Sequence, residues 1–224
     1  MKMHNNKKSK ALLFVVSLFI HLSTIGSEVK LNPQTSLEDK TYTEQGLEHW
    51  YRGDFVTAIE VLIKADAEGD IQGTIALSQL YHFSSEFELA LPLLLKAEAA
   101  EHQESMLVLI EYFERGQGME KPDIKRAGLI LKKLVMMKYK PAMMIEAEAI
   151  GQGRLGFDTD IQHSNQSILK LAEANYLPAI QKIYNSYLRG APGITSDREQ
   201  ARYWRQKFIE VEQLNNEVIK REEY

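Results

Sequence analysis

Three stretches of the sequence and a set of scattered histidines carry residue types that could do chemistry. Ser167-Ile-Leu-Lys170 sets a hydroxyl and an amine one helical turn apart, a spacing at which lysine can activate serine for acyl transfer. Such a site also needs Ser-Asp-Asn and Lys-Thr-Gly elements, and the chain has neither. Leu169 and Ala172 fit an apolar helical register, so Ser167 and Lys170 read as solvated helix residues. His49, His82, His102 and His163 never fall at metal-ligand spacing and no His-Glu-x-x-His occurs, so His49 reads as a packing histidine. Asp158-Thr-Asp160 could open a calcium loop, but no Gly at the sixth position or Glu at the twelfth follows it. Gly151-Gln-Gly-Arg-Leu-Gly156 follows a helical pattern rather than a strand, which makes it a helix end and a turn instead of a phosphate cradle. With no cysteine there is no disulfide, thiolate metal site or thiol nucleophile. The expectation is a chain that is not an enzyme, with no catalytic residue, no metal and no cofactor.

Composition narrows the partners. The 224 residues are 44% hydrophobic and 26% charged with a formal charge of −4, ordinary values for a folded domain or one repeat array. No basic stripe of the nucleic-acid-binding kind stands out, so nucleic acid is not an expected partner. At the N-terminus Lys2, Lys7, Lys8 and Lys10 precede the apolar run Ala11–Leu22 and the small residues Ser23–Ser27. That order predicts a secretory signal peptide over residues 1–26, with an apolar run too short to span a bilayer. The mature chain is then expected to be periplasmic or secreted, with no stable membrane span after cleavage. Residues 27–40, with Asn32, Pro33 and Ser36 and no apolar period, read as a linker.

From 41 to 224 the chain repeats itself. Ala58, Leu62 and Ala65 share one helical face and return as Ala90, Leu94 and Ala97 after 32 residues. They return again as Ala127, Leu131 and Leu134 after 37 residues, and as Asn165, Leu169 and Ala172 after 38. The last unit has Ala201, Arg205 and Phe208, with Trp204 taking over the apolar contact. A second column runs through Gly73, Ser105, Ala142 and Ala179, small residues that let backbones approach. It is followed in step by Tyr81, Phe113, Ile150 and Tyr187, and then by Gly116, Gly153 and Gly190. Two helices per period of this length predict an all-α solenoid of about five helix pairs, each burying its apolar stripe against the next. Trp204, Phe208, Val211, Leu214 and Val218 make the apolar stripe of a C-terminal capping helix. Met136, Met137, Met143 and Met144 read as adaptable core filling, the alternative being a partly exposed, promiscuous binding surface.

Two stretches resemble Sel1-like repeats, Tyr112-Phe-Glu-Arg-Gly-Gln-Gly-Met-Glu-Lys-Pro-Asp-Ile-Lys-Arg-Ala127 and Tyr187-Leu-Arg-Gly-Ala-Pro-Gly-Ile-Thr-Ser-Asp-Arg-Glu-Gln-Ala-Arg-Tyr-Trp204. The first unit, with Gly46, Gly53-Asp54-Phe55, Ala58 and Ala65, is more similar to a tetratricopeptide repeat. The second unit departs by having His82-Phe83-Ser84-Ser85 in place of the Gly-x-Gly turn. The resemblance implies a right-handed superhelix that serves as an adaptor or assembly scaffold without catalysis. By analogy with the tetratricopeptide arrangement, fixed offsets along each first helix face a concave binding surface. They select Gln79 and His82, then Glu111, Glu114 and Arg115, then Met144 and Glu148, then Gln181, Asn185 and Arg189. The expected role is protein or peptide binding in a bacterial envelope. The alternative is a structural accessory subunit of an envelope machine, such as a flagellar motor, secretion or polysaccharide-export complex.

Overall fold

The computed structural model describes residues 40–222; the signal-peptide reading of residues 1–26 and the 27–40 linker, Lys40 excepted, lie outside the described residues. Among these residues there are ten helices. They are α1 (Tyr42–Tyr51), α2 (Phe55–Ala67), α3 (Ile71–Phe83), α4 (Phe87–Ala99) and α5 (Gln103–Arg115). After them come α6 (Ile124–Met136), α7 (Lys140–Gln152), α8 (Ile161–Glu173), α9 (Leu177–Arg189) and α10 (Arg198–Glu222). Two compact units divide at Ser85/Glu86, inside the repeat whose turn departs from the Gly-x-Gly pattern. The first holds α1–α3 and the second α4–α10.

Most of the helices start where a side chain accepts the unpaired amides of the first turn; α4, α7 and α9, begun by Glu86, Tyr139 and Tyr176, have no such cap. Thr41 and Glu44 form a reciprocal capping box on α1. Asp54, Asp123 and Asp160 accept from the amides of Thr57, Arg126 and His163 on α2, α6 and α8. Asp54 is held below the usual carboxylate range by the Thr57 hydroxyl and amide, with His49 beside it. Between a second helix and the next first helix the chain always passes through a residue at positive φ: Gly69, Glu101, Lys138, Asn175. The following amide then returns to a carbonyl five residues back, as in Asp70 to Ala65, His102 to Ala97, Tyr139 to Leu134 and Tyr176 to Leu171. Only the first of these turns carries the glycine that announces it; the closing hydrogen bond holds the others there.

In the second unit the longer connection inside each helix pair closes in a constant way. The amides of Asp123, Asp160 and Asp197 donate to the carbonyls of Phe113, Ile150 and Tyr187 at 2.7, 2.9 and 2.8 Å. Those partners recur every 37 residues, so the period through α5–α10 is uniform. This corrects the sequence reading of α8. Ser164, Ile168 and Leu171 are buried there, each one position before the expected Asn165, Leu169 and Ala172, and of the expected three only Ala172 is buried as well. Asn165 instead donates its side-chain amide to the Pro192 carbonyl at 2.9 Å.

The first unit's core is Leu47, Trp50, Leu62, Ile75 and Leu80, closed by glycines where helices meet. A Cβ on Gly73 would lie 2.4 Å from that of Ala65 and 2.6 Å from the Thr43 hydroxyl oxygen, whose hydrogen is donated to Asp70. In the second unit Tyr112 is fully buried, its ring edge-on to Phe87 at 5.6 Å, and burial drives its phenol far above the ordinary tyrosine range. Ile168, Ile180, Ile183, Trp204 and Val211 continue this core toward the C-terminus. Three apolar expectations fail. Leu214 of the capping stripe is 59% exposed, and Met136 and Met137 are exposed, Met136 at 84%, because α6 buries its last large side chain at Leu134. The Val218 side chain of that stripe lies outside the described residues. Met143 and Met144 do join the core.

Gly118 and Gly156 both have positive φ, but only Gly118 sits against backbone, with a Cβ position 2.5 Å from the Phe87 carbonyl oxygen. Gly156→Ala is expected to cost about 1–2 kcal/mol for the left-handed backbone alone. Gly118→Ala should cost at least about 2 kcal/mol more, from overlap added to strain. Urea unfolding of the two variants checks the difference; equal midpoints would contradict this packing.

Candidate functional site

The first helices of the second unit, α5, α7 and α9, each carry a small buried residue in their first turn: Ser105, Ala142 and Ala179. Further along, their polar side chains reach one another. Arg154, just past α7, grips Glu114 of α5 with two hydrogen bonds, Nε to Oε1 at 2.8 Å and Nη2 to Oε2 at 2.6 Å. Its Nη1 donates to the side-chain oxygen of Gln152 at 2.9 Å. The Glu114 carboxylate, with Glu148 behind it, raises Arg154 above its already high range. Glu148 of α7 pairs with Lys182 of α9 at 2.5 Å, and Glu111 with Arg115 within α5 at 2.6 Å. The acidic residues expected to face a ligand are therefore engaged inside the protein.

Beyond this chain of charges lies an open groove of about 570 Å³ between α7 and α9. Met144 and Pro178 give it apolar surface, Glu148 and Lys182 a neutralised wall, and Gly190 and Ala191 its far end. Gln181, Asn185 and Arg189 follow at four-residue spacing along α9, exposed and lining the groove. Among the described residues their side chains make no hydrogen bond or ion pair. The Ser186 hydroxyl is turned back on its own helix, donating to the Lys182 carbonyl at 2.9 Å.

Of the sequence-selected residues, Met144, Glu148, Gln181, Asn185 and Arg189 meet in this groove. Glu111, Glu114 and Arg115 lie on α5 in ion pairs, and Gln79 and His82 are half-buried on α3 of the first unit. Sequence reasoning missed Arg154 and Lys182. The signal was present as basic residues 40 and 34 positions after an acidic one, which is the 37-residue period displaced by one helical turn either way.

The motifs that could have carried chemistry have structural partners. Asp160 caps α8, and His102 caps α5 by accepting the Ser105 amide at Nδ1. His49 Nδ1 sits 3.2 Å from Asp54. Ser167 is half-buried and Lys170 exposed on α8. A Cβ on Gly151 would collide with Ser164, so that glycine serves the approach of α7 to α8. Among the described residues no three His, Asp or Glu side chains are grouped to hold a metal, and no helix is long and apolar enough to cross a membrane.

No family model matches the chain, and no curated protein matches it. Solved structures do match it, among them two with repeat folds. One is a Sel1 repeat protein from Oxalobacter formigenes, at 20% identity and a TM-score of 0.57, covering 77% of this chain and 69% of that one. The other is a protective antigen of uropathogenic Escherichia coli strains that displays an SLR fold, at 19% identity and a TM-score of 0.56. That match covers 75% of this chain, which spans 38% of the antigen's length. The fold is all-α, built of paired helices in the Sel1- and tetratricopeptide-like repeat architecture.

The Glu148–Lys182 contact is partly exposed on both sides, which limits its worth. A double-mutant cycle with Glu148→Gln and Lys182→Met should give a coupling of about 0.5–1 kcal/mol that shrinks as salt is added. A coupling indistinguishable from zero at low salt would remove the pair from the account.

Proposed function

We propose that this chain is an exported helical-repeat scaffold that holds an extended polypeptide segment of another envelope protein in the groove between α7 and α9. The observation that carries the reading is the unpartnered row Gln181, Asn185 and Arg189 beside the apolar surface of Met144 and Pro178. Residues four apart on a helix are roughly 6 Å apart along its axis. Same-facing groups of an extended chain repeat every 6.6–6.8 Å or so. A segment lying along α9 can therefore meet each of the three side chains in turn. Glutamine and asparagine amides both donate and accept, which suits a peptide backbone, while Arg189 adds a cation for a carbonyl or an acidic side chain. Met144 accommodates apolar side chains of varied shape.

The register supplies a reason why the groove is open at this level. Ala191 stands 37 residues after Arg154, and Gly151 stands 37 after Glu114. The pair that bridges α5 and α7 has thus been replaced by residues that cannot bridge. The N-terminal pattern of residues 1–26 supports an envelope or secreted address. A second reading, a fixed accessory subunit of an envelope machine, draws on Leu89 and Leu95, which α4 leaves exposed. Partners that survive purification in stoichiometric amount would favour it.

A photo-crosslinking side chain at Asn185 is expected to capture a polypeptide that the same probe at Gln166, on α8, does not. Ala191→Arg, which restores the bulk present one repeat earlier, and Arg189→Glu should each lower capture at least about tenfold while the fold survives. Undiminished capture by both variants would place the ligand elsewhere.

A further inference from the structure

The sequence reading found no basic stripe, but the fold makes one. Between Lys121 and Lys140 there are seven basic residues and one acidic, Asp123, in a chain whose formal charge is −4. Three of the seven are engaged within the protein. Arg126 donates to both oxygens of Glu98, at 2.9 and 2.7 Å, and Lys133 pairs with Glu101 at 2.9 Å. These pairs also use up the acids that α4 and the turn after it bring to α6. Lys140 donates to the Ala174 carbonyl. Lys121, Lys125, Lys132 and Lys138 are exposed, and no ion pair or hydrogen bond engages them among the described residues.

Position on the helix matters more than number. At about 100° per residue, Lys125, Leu129, Lys132 and Met136 fall within roughly 60° of arc, directly opposite the buried face of Ala127, Ile130, Leu131 and Leu134. The stripe thus alternates cation and large apolar side chain, with Leu129 at 61% and Met136 at 84% exposure. A soluble surface gains nothing from an almost fully exposed methionine between lysines. The pattern fits a surface that is anionic on the outside and apolar just beneath.

We infer that the outer face of α6 docks on an anionic phospholipid surface, with Leu129 and Met136 entering the interface and Lys125 and Lys132 reaching up to the headgroups. Charge complementarity and geometry both select this occupant. The apolar side chains stand out from a convex helix, so a protein partner would need a matching pocket, whereas lipid conforms to them. A nucleic-acid backbone would meet the lysines and leave the apolar pair without a role. Lysine stems lie along apolar surface while their ammonium groups stay in water, as headgroup contact requires. The inference stands apart from the α7–α9 groove and does not depend on it.

The chain has no cysteine, so a single introduced thiol carries a label cleanly. Met136→Cys with an environment-sensitive fluorophore is expected to shift to the blue on vesicles of phosphatidylcholine plus phosphatidylglycerol. It should not shift on phosphatidylcholine alone, nor should the same label at Gln181→Cys on either. In the labelled chain, Lys125→Glu with Lys132→Glu should weaken partitioning at least about tenfold. If that variant fails to fold, Lys125→Gln with Lys132→Gln should still weaken it several-fold. An unshifted label at position 136 on anionic vesicles, or equal shifts on both vesicle types, would overturn the inference. So would a shift produced by polyglutamate but not by vesicles, which would assign the surface to an acidic protein.

Discussion

A hydrogen bond from one backbone amide to a carbonyl ten residues earlier closes every helix-pair connection in the second unit. Asp123, Asp160 and Asp197 donate it; Phe113, Ile150 and Tyr187 accept it. The same three aspartates use their side chains to accept amides of the helix they begin, so one residue ends the loop and starts the helix. Each such bond contributes only about 1 kcal/mol. Its larger consequence is register. With the closure fixed every 37 residues, the buried columns of successive helices must face each other, and the polar rows of α5, α7 and α9 must align.

That alignment creates an electrostatic problem and largely solves it. Glu111, Glu114 and Glu148 fall on neighbouring first helices, where uncompensated they would repel. Arg115, Arg154 and Lys182 neutralise them from within the protein. The pairs are partly exposed, so they add little stability; they fix where the side chains point. Repetition of the same device at the next level would have filled the cleft between α7 and α9. Ala191 and Gly151 occur there instead, and Gly151 is further constrained by Ser164 against it. An open groove is what remains when a clamp is omitted from an otherwise regular array.

Much of the fold was legible. The alanine and leucine columns of α2, α4 and α6 are all buried as the period implied, because small and branched side chains at fixed spacing have one economical arrangement. The α8 register was not legible, since Leu169 and Ile168 are adjacent and chemically alike, and only the loop closure at Asp160 chooses between them. The turns at Glu101, Lys138 and Asn175 were hidden because a hydrogen-bonded closure, not glycine, places them at positive φ. At the candidate site the polar row was readable from offsets. Its division into engaged acids and unengaged α9 residues was not, because Arg154 and Lys182 act across a repeat boundary. The basic stripe on α6 was masked by the nearby acids of α4 and the turn after it, whose pairing with Arg126 and Lys133 appears only in three dimensions.

The closure itself is open to direct measurement by native-state hydrogen exchange resolved at single amides. The account predicts that the amides of Asp123, Asp160 and Asp197 exchange at least about tenfold more slowly than those of the loop residues just before them, such as Asp158 and Thr159. Three aspartate amides exchanging as fast as their loop neighbours would contradict it, and the common register of the second unit would need another cause.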